Sequence, residues 1–177
     1  MNKLIILRGP SGAGKSTIAK LLFKKTKNKT CLIEQDYYRF IFGSNDGGSR
    51  SNSDAIHKMI ESNVLIALQE GYDVILEGIL SVKSYAQTLE NIFKKHPKEN
   101  YIFYFDISLT ETIRRHALRY DNKKYRYEKE GHKVWGEKEM KKWYPNAHKS
   151  NHQFEILIPE NFSIKKTVQF IKKYSGI

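Results

Sequence analysis

Cysteine is almost missing from this sequence, in which Cys31 is the single one among 177 residues. One thiol cannot close an internal disulfide, which excludes the disulfide-stabilised class of small secreted domains. The sequence also has no CxxC pair and no cysteine and histidine cluster at metal-ligand spacing, so a structural zinc site lacks its ligands. We therefore expect Cys31 to be a buried thiol within a strand.

Long hydrophobic runs are missing as well, and the first apolar run, Leu4–Leu7, ends at Arg8. A membrane-spanning helix needs about 20 mostly apolar residues, and a signal peptide needs an apolar segment of roughly 7 to 15 residues. From their absence we expect a soluble, cytoplasmic protein without a membrane partner. The length fits a single domain over residues 1–177, since domains commonly have about 100 to 200 residues.

Acidic residues are few relative to basic ones, with 19 Asp and Glu against 31 Lys and Arg and a formal net charge of +12. Residues 114–150 contain twelve of the basic and five of the acidic residues, so this segment alone contributes +7. Such clustering favours an anionic ligand or partner nearby, either nucleotide phosphates, a nucleic acid or an acidic surface. A solvated basic face is the alternative explanation.

Short apolar runs and helical patterns alternate along the chain. The runs predict five buried strands, at Leu4–Leu7, Cys31–Ile33, Val74–Leu76, Tyr101–Phe105 and Phe154–Ile158. The helical patterns predict five helices, at Ser16–Lys24, Asp54–Glu70, Lys83–Lys95, Leu109–Tyr120 and Ser163–Tyr174. Strands that alternate with helices are typical of the α/β class, so we predict a doubly wound five-stranded parallel sheet with helices on both faces.

Two segments interrupt this alternation. Residues 43–53 form a polar stretch rich in glycine and serine, and residues 121–146 are basic and aromatic with little periodicity. Long irregular segments inside a domain are commonly functional loops, so 121–146 is a candidate lid or substrate segment. Ser108 and Glu111 have the spacing of a capping box, which predicts the start of the helix that precedes this segment.

A glycine-rich stretch between the first strand and the first helix has the pattern GxxxxGK[ST], which defines a P-loop. In a P-loop, backbone N–H groups and the positive end of the helix dipole bind phosphate, the lysine reaches the β- and γ-phosphates, and the serine hydroxyl binds Mg²⁺. The position after a strand and before a helix is the one that this chemistry requires. We therefore predict that ATP and Mg²⁺ bind through Gly9, Ser11, Gly12, Ala13, Gly14, Lys15, Ser16 and Thr17.

The remaining sequence narrows the classes of P-loop protein. Asn122–Tyr125 reads NKKY and lacks the Asp of the guanine-reading NKxD motif, and the LSGGQ signature of transport ATPases is absent. Three further stretches are informative. LIEQDYYRF begins at Leu32 at the end of the second predicted strand, DVILEGIL begins at Asp73 and contains the third, and SLTETIRRHALR begins at Ser108 after the fourth. With the P-loop, they make the chain resemble the kinase branch of the P-loop NTPase fold, which includes nucleoside and nucleotide kinases, chloramphenicol phosphotransferase and zeta-toxin kinases.

Asp36 directly follows the second predicted strand. The carboxyl ends of parallel strands meet at the ligand crevice, so a carboxylate here would lie near the γ-phosphate of a nucleotide held by Lys15. It could orient and deprotonate an incoming hydroxyl group, and the resemblance implies the same catalytic role. The alternative is that Asp36 caps a helix beginning at Tyr37.

Glu77 ends the third predicted strand. A charged residue at the end of a buried strand needs a partner. The resemblance implies that the partner is Mg²⁺, bound through water. An ion pair with a lysine or arginine is the alternative.

Arginines follow the fourth predicted strand. Arg115 and Arg119 project from roughly the opposite side of their helix to Leu109, Ile113 and Ala117. The planar guanidinium group suits phosphate oxygens and can neutralise charge in the transition state. The resemblance implies lid arginines here, so we predict a catalytic role for both. Two more arginines are candidates for that role: Arg114 and Arg126.

Aromatic and basic residues surround the loop after the second strand, where the resemblance places the phosphate acceptor. Aromatic rings there can stack on a planar substrate, although core packing explains them equally well. The candidate substrate-binding residues are Asp36, Tyr37, Tyr38, Arg39 and Arg50. A second candidate wall consists of Trp135, Trp143 and Tyr144, which can equally form a small cluster that holds the 121–146 segment.

Together these residues favour an ATP- and Mg²⁺-dependent kinase that acts on a hydroxyl group of a small molecule. The similarity of QDYYR, which begins at Gln35, to uridine kinases favours a nucleoside. Two alternatives stay open. A polynucleotide 5′-hydroxyl kinase would bind a strand through the basic segment, which makes nucleic acid the less favoured partner. A nucleotide-binding regulatory protein would bind ATP without transferring phosphate.

Overall fold

Five parallel strands form the centre of the fold in a computed structural model, which describes residues 2–41, 54–121, 136–150 and 154–177. The strands are β1 (Leu4–Arg8), β2 (Thr30–Glu34), β3 (Asp73–Gly78), β4 (Asn100–Asp106) and β5 (Glu155–Pro159). Their order across the sheet is β2-β3-β1-β4-β5, and every neighbouring pair is parallel. The predicted fold class is therefore confirmed.

Helices connect the strands and cover both faces of the sheet. They are α1 (Lys15–Lys25), α2 (Gln35–Ile41), α3 (Asp54–Gln69), α4 (Val82–Lys95), α5 (Leu109–Asp121), α6 (Glu137–Trp143) and α7 (Ile164–Ser175), and a short 3₁₀ helix spans Tyr144–Ala147. No helix within these described residues combines the length and apolar character that a membrane span requires.

The alternation of side chains along β1 divides the core into two layers. Leu4 and Ile6 point to one face and pack in a cluster with the apolar residues of α3 and α4. Ile5 and Leu7 point to the other face and pack with those of α1 and α7. Because β1 is buried on both faces, the loop that follows it is held firmly at the carboxyl edge of the sheet.

The spacing-four pattern of α3 gave an accurate prediction. Ile56, Ile60, Val64 and Leu68 are all buried, as one face of a helix packed on a sheet should be. Gly71 follows the helix with a φ of +88°, the left-handed conformation that glycine adopts at least cost.

Two helices differ from the prediction. α2 begins at Gln35, directly after β2, so Asp36 lies inside its first turn and does not cap a helix beginning at Tyr37. α6 lies in the segment expected to be irregular, and Met140 anchors it by burial. Cys31 also departs from expectation, because it is only partly buried against the core.

The predicted capping box at the start of α5 is half correct. The Ser108 hydroxyl accepts a hydrogen bond from the Glu111 N–H at 3.2 Å, as a cap does. The Glu111 carboxylate does not return to Ser108, whose N–H instead donates to the carboxylate of Glu160 at 2.6 Å. Glu111 instead accepts hydrogen bonds from Arg114 and Arg115 of the same helix.

Candidate active site

The P-loop connects β1 to α1 at the carboxyl edge of the sheet. Gly14 is the N-cap residue of α1 and adopts a left-handed conformation with a φ of 93°. Having no side chain, it cannot accept from the N–H groups of the first helical turn, which include those of Ser16 and Thr17. These groups and the positive end of the helix dipole are therefore available to an anion.

Gly12 is required by a close approach between the P-loop and α5. Its φ is +82°, and a Cβ atom placed on it would lie 2.8 Å from the carbonyl oxygen of Thr112. Thr112 is completely buried at this contact. A larger residue at position 12 would push the P-loop away from the helix that carries Arg115.

Lys15 is buried at the start of α1. Its ammonium group donates a hydrogen bond to the carbonyl oxygen of Pro10 at 2.8 Å, so the side chain folds back over the loop. Burial lowers the pKa of Lys15, and the negative charges of Glu77 and Asp36 partly oppose that effect. The negative charge of a ligand at the loop would raise the pKa of Lys15 again and so favour its charged form.

Ser16 and Glu77 bring two oxygen atoms together beside Lys15. The Ser16 hydroxyl donates to the Glu77 carboxylate at 3.1 Å, although the two residues are far apart in the sequence. Glu77 is only 4% exposed, and burial raises its pKa while the charge of Lys15 acts in the opposite direction. Mg²⁺ is commonly bound by one or two protein oxygens together with phosphates and water, so this hydroxyl and carboxylate fit such an ion.

Asp36 lies on the exposed side of the same edge, in the first turn of α2. It accepts a hydrogen bond from the Arg39 guanidinium group at 3.0 Å, one turn further along the helix. Its negative charge acts on both Lys15 and Glu77. The candidate base therefore belongs to the same electrostatic cluster as the P-loop lysine, and its carboxylate is open to a substrate.

Gln35 holds the end of β3 in place, a role that sequence reasoning missed. Its side-chain oxygen accepts from the backbone N–H of Leu80 at 3.2 Å. Leu80 has a φ of +43°, which is uncommon for a residue with a side chain. A Cβ atom on Gly78 would lie 2.6 Å from the Gln35 Cβ, so only glycine permits this contact. In the sequence, this contact could have been indicated by Gln35 next to Asp36 after β2 and by Gly78 next to Glu77 in β3.

Arg115 contacts the P-loop directly. Its guanidinium group donates to the Ala13 carbonyl at 3.2 Å and to the Glu111 carboxylate at 2.7 Å. The face of α5 that meets the P-loop thus contains Thr112 and Arg115. The predicted core-facing side of this helix, with Leu109, Ile113 and Ala117, was wrong at Ala117, which is exposed.

The other predicted arginines are placed differently. Arg114 is 60% exposed and also binds the Glu111 carboxylate, at 2.6 Å. Arg119 is exposed, and its positive charge lowers the pKa of Lys15, after burial and against the two carboxylates. Arg119 therefore contributes positive charge near Lys15 from an exposed position on α5.

The aromatic candidates separate into exposed and structural residues. Tyr37 is 64% exposed, whereas Tyr38 is 8% exposed and its hydroxyl accepts from the Asn63 amide at 3.1 Å. The Tyr144 hydroxyl donates to the Ile107 carbonyl at 2.8 Å, and Trp143 is half-buried beside it. Tyr38 and Tyr144 thus make hydrogen bonds within the fold, whereas Tyr37 is exposed. Arg50, Arg126 and Trp135 lie outside the described residues.

Comparison with known proteins supports the same fold. The sequence profile of the AAA domain family matches residues 4–145. No curated protein sequence matches the chain significantly. A sugar kinase from Janibacter sp. HTCC2649 has a similar structure, with a TM-score of 0.70 and 10% identity over 100% of this chain and 96% of that chain. The APS kinase CysC of Mycobacterium tuberculosis, solved with AMPPNP and APS, has a TM-score of 0.68 and 14% identity over 97% and 96% of the two chains.

A third similar structure belongs to a Pnkp1/Rnl/Hen1 RNA repair complex. The TM-score is 0.62 and the identity 22%, over 86% of this chain and 47% of that chain. The chain therefore spans about half the length of that relative. Likeness at these identities establishes a P-loop kinase-like fold.

Proposed function

Because the chain belongs to the AAA domain family and has a P-loop kinase-like fold, we propose that it transfers the γ-phosphate of ATP to a hydroxyl group of a small molecule. The observation that supports this most is the cluster at the carboxyl edge of the sheet. There Lys15, the Ser16 and Glu77 oxygens, and the exposed Asp36 carboxylate interact with one another.

The donor side of the reaction uses the P-loop. The N–H groups of the loop and of the first turn of α1 bind phosphate oxygens, and Lys15 exchanges its bond to Pro10 for one to the β- and γ-phosphates. Ser16 and Glu77 would hold Mg²⁺, directly or through water. When bound there, the ion neutralises charge on the phosphate oxygens.

The acceptor side uses Asp36. Its carboxylate orients the incoming hydroxyl group and takes its proton as the new oxygen–phosphorus bond forms. The bond between the γ-phosphorus and the bridging oxygen breaks, and ADP leaves with that oxygen. Arg115 and Arg119 stabilise the charge on the transferring group, which is the main requirement of a loose transition state.

A transfer assay tests this proposal. ATP should raise the melting temperature of the protein, because a ligand that binds only the folded state stabilises it. Labelled phosphate should then pass from ATP to at least one member of a panel of nucleosides, sugars, antibiotics and 5′-hydroxyl oligonucleotides. Stabilisation by ATP without transfer to any acceptor would instead favour the nucleotide-binding regulatory protein.

A polynucleotide 5′-hydroxyl kinase is the second candidate, favoured by the similarity to the RNA repair complex and by the net charge of +12. Contacts to several phosphates make binding strongly dependent on salt. Oligonucleotide affinity should therefore fall about 10³-fold or more between 50 and 200 mM salt if this candidate is correct. Weak binding that is insensitive to salt would exclude it.

A further inference from the structure

Two polar atoms are buried without partners on the acceptor side of the site. They are the Nε2 atom of His57, on α3, and the hydroxyl oxygen of Tyr85, on α4. Across residues 2–41, 54–121, 136–150 and 154–177, neither atom has a hydrogen-bond partner. Tyr85 is only 1% exposed, so bulk water does not solvate its hydroxyl group.

The two side chains lie against each other. Their ring centroids are 4.3 Å apart, with the rings tilted by 50°. They meet because α3 and α4 pack side by side on the same face of the sheet, where both contribute to one core cluster. The sequence separates them by 28 positions, so the packing of the helices brings them together.

The pair is next to the candidate base. Tyr85 lies in the first turns of α4, and Leu80, just before that helix, donates its N–H to the side-chain oxygen of Gln35 at 3.2 Å. The charges of Arg39 and Asp36 act on the Tyr85 hydroxyl. Gln35 and Asp36 begin α2 at the carboxyl edge of the sheet. A molecule that presents one hydroxyl group to Asp36 is thus in position to meet Tyr85 and His57 with its other polar groups.

Both groups are uncharged at neutral pH. Burial lowers the pKa of His57, with the nearby Asp54 acting in the opposite direction. Burial also raises the pKa of Tyr85, which keeps the phenol protonated. A neutral imidazole nitrogen donates or accepts according to its tautomer, and a phenol does both.

Hydroxyl groups match this pair better than anionic groups do. A hydroxyl group donates and accepts, so it satisfies His57 in either tautomer as well as Tyr85. A carboxylate or phosphate can only accept, and placing its charge against two neutral buried groups carries a desolvation penalty. Buried polar atoms are nearly always paired with protein, water or ligand, so each of these two needs a partner that a substrate hydroxyl group can supply.

We propose that His57 and Tyr85 bind hydroxyl groups of an uncharged phosphate acceptor, either a sugar or the ribose of a nucleoside. This inference rests on the proposed kinase function and specifies the class of its substrate. The two atoms select neutral polyhydroxylated molecules, while Asp36 acts on the hydroxyl group that receives the phosphate.

Binding measurements test the proposal without requiring turnover. The probes are glucose, ribose, uridine and adenosine as neutral compounds, and gluconate, UMP and AMP as anionic ones. Each is titrated calorimetrically into the protein saturated with AMPPNP and Mg²⁺. Sugars that bind as well as nucleosides identify free sugars as the class, and binding by nucleosides alone identifies the ribose with its base.

Three variants make the test specific. Tyr85→Phe removes one hydroxyl group, and His57→Phe removes the ring nitrogens while keeping an aromatic ring. Either change should weaken the binding of the neutral compound about tenfold or more and leave AMPPNP affinity unchanged. Tyr101→Phe is the matched control, since its hydroxyl donates to Glu99 at 3.0 Å at the opposite edge of the sheet.

Several results would overturn the inference. Unchanged affinity in both variants, binding of the anionic compounds alone, or binding of no neutral compound would each do so. A larger fall in melting temperature for Tyr85→Phe than for Tyr101→Phe would also contradict it, because it would show that the hydroxyl has a structural partner. The proposed function is separable: neutral binding that both variants weaken, without any phosphate transfer, would contradict the kinase function alone.

Discussion

We expect phosphate binding to depend most on Lys15. It is buried, it lies beside the Glu77 carboxylate, and its ammonium group contacts only a backbone carbonyl among the hydrogen bonds of the described residues. A preorganised cation of this kind stabilises charge without reorganising as the reaction proceeds. We therefore expect the charge of Lys15 to contribute substantially to the rate of transfer.

Replacement of Lys15 tests that role. Lys15→Ala should lower turnover by about 100-fold or more, as the loss of a preorganised charge donor commonly does. Lys24→Ala is the matched control, since Lys24 is an exposed lysine in the last turn of the same helix. Steady-state kinetics on both variants give the comparison, and equal activity in the two would remove Lys15 from the reaction.

Asp36 can be tested separately from metal binding. Asp36→Asn should reduce phosphate transfer while ATP affinity stays within about twofold, because an amide cannot take the hydroxyl proton. Glu90→Gln, the same acid-to-amide change in an exposed ion pair on α4, is the control and should retain most of the activity. If Asp36→Asn abolished ATP binding as well, Asp36 would belong to the metal site.

The contact between α5 and the P-loop can be tested with variants of two neighbouring arginines, Arg115 and Arg114. Arg115 reaches the Ala13 carbonyl, whereas Arg114 is more exposed and contacts Glu111. Arg115→Ala should lower kcat/KM for ATP about tenfold or more, since hydrogen bonds to charged groups are worth about 1.5–3 kcal/mol. Arg114→Ala should change it less than about threefold, because exposed pairs contribute little. Equal losses would show that α5 acts through its net charge alone.

Glu111 gives the same contact a predictable pH dependence. Its hydrogen bonds with Arg114 and then Arg115 lower its pKa from 4.5 to about 2. Because the pKa is lower in the folded state, the pair is fully formed above pH 4.5 and is lost as the pH falls toward 2. NMR titration of the Glu111 carboxyl carbon checks this, and a midpoint near 4.5 would mean that the pairs do not form in solution.

The elements that sequence reasoning could predict are those with a regular local pattern. The P-loop has a spacing fixed by phosphate chemistry, and α3 has four apolar residues at spacing four, all of which are buried. α6 has only seven residues and a polar pattern. Helices this short depend on tertiary packing, here through Met140, which local propensity does not record.

Sequence reasoning could propose site residues only where they lie together in one element of the chain. The Thr112 and Arg115 face of α5 became evident from the contact with Gly12 and Ala13, because the pattern along the helix pointed elsewhere. His57 and Tyr85 gave no local signal, since they become neighbours through helix packing. The P-loop candidates could thus be named from the sequence, whereas the juxtaposition of His57 and Tyr85 became evident only in the structure.

A buried ion pair connects the central strand of the sheet to one of its edge strands. Arg8 at the end of β1 binds Glu155 of β5 at 2.5 Å, and the two side chains are 1% and 4% exposed. The guanidinium group crosses β4 above the Tyr104 ring, at 5.4 Å from its centroid, and also donates to the His148 carbonyl at 2.7 Å. The strand before the P-loop is thereby joined to the chain that follows α6.

Breaking this pair should destabilise the fold strongly. Arg8→Met leaves a buried carboxylate without its partner, at a cost of about 3–5 kcal/mol, which corresponds to a fall in melting temperature of roughly 6–20 °C for a chain of this size. The double variant Arg8→Met with Glu155→Met should recover part of that loss. Lys94→Met, which breaks the exposed pair with Glu90, is the control and should shift the melting temperature little. Thermal unfolding that is equal for Arg8→Met and Lys94→Met would contradict a structural role for Arg8.

Phosphate transfer itself is tested most directly by following the γ-phosphate. The protein is incubated with ATP carrying ¹⁸O in the γ-phosphate and with a small-molecule extract, and the products are identified by mass spectrometry. We expect one labelled phosphate ester of a hydroxyl compound, formed in equal amount to ADP by the wild-type protein and at least about 100-fold more slowly by Lys15→Ala. Label that appears only in inorganic phosphate, or that stays in ATP bound to the protein, would contradict the kinase function.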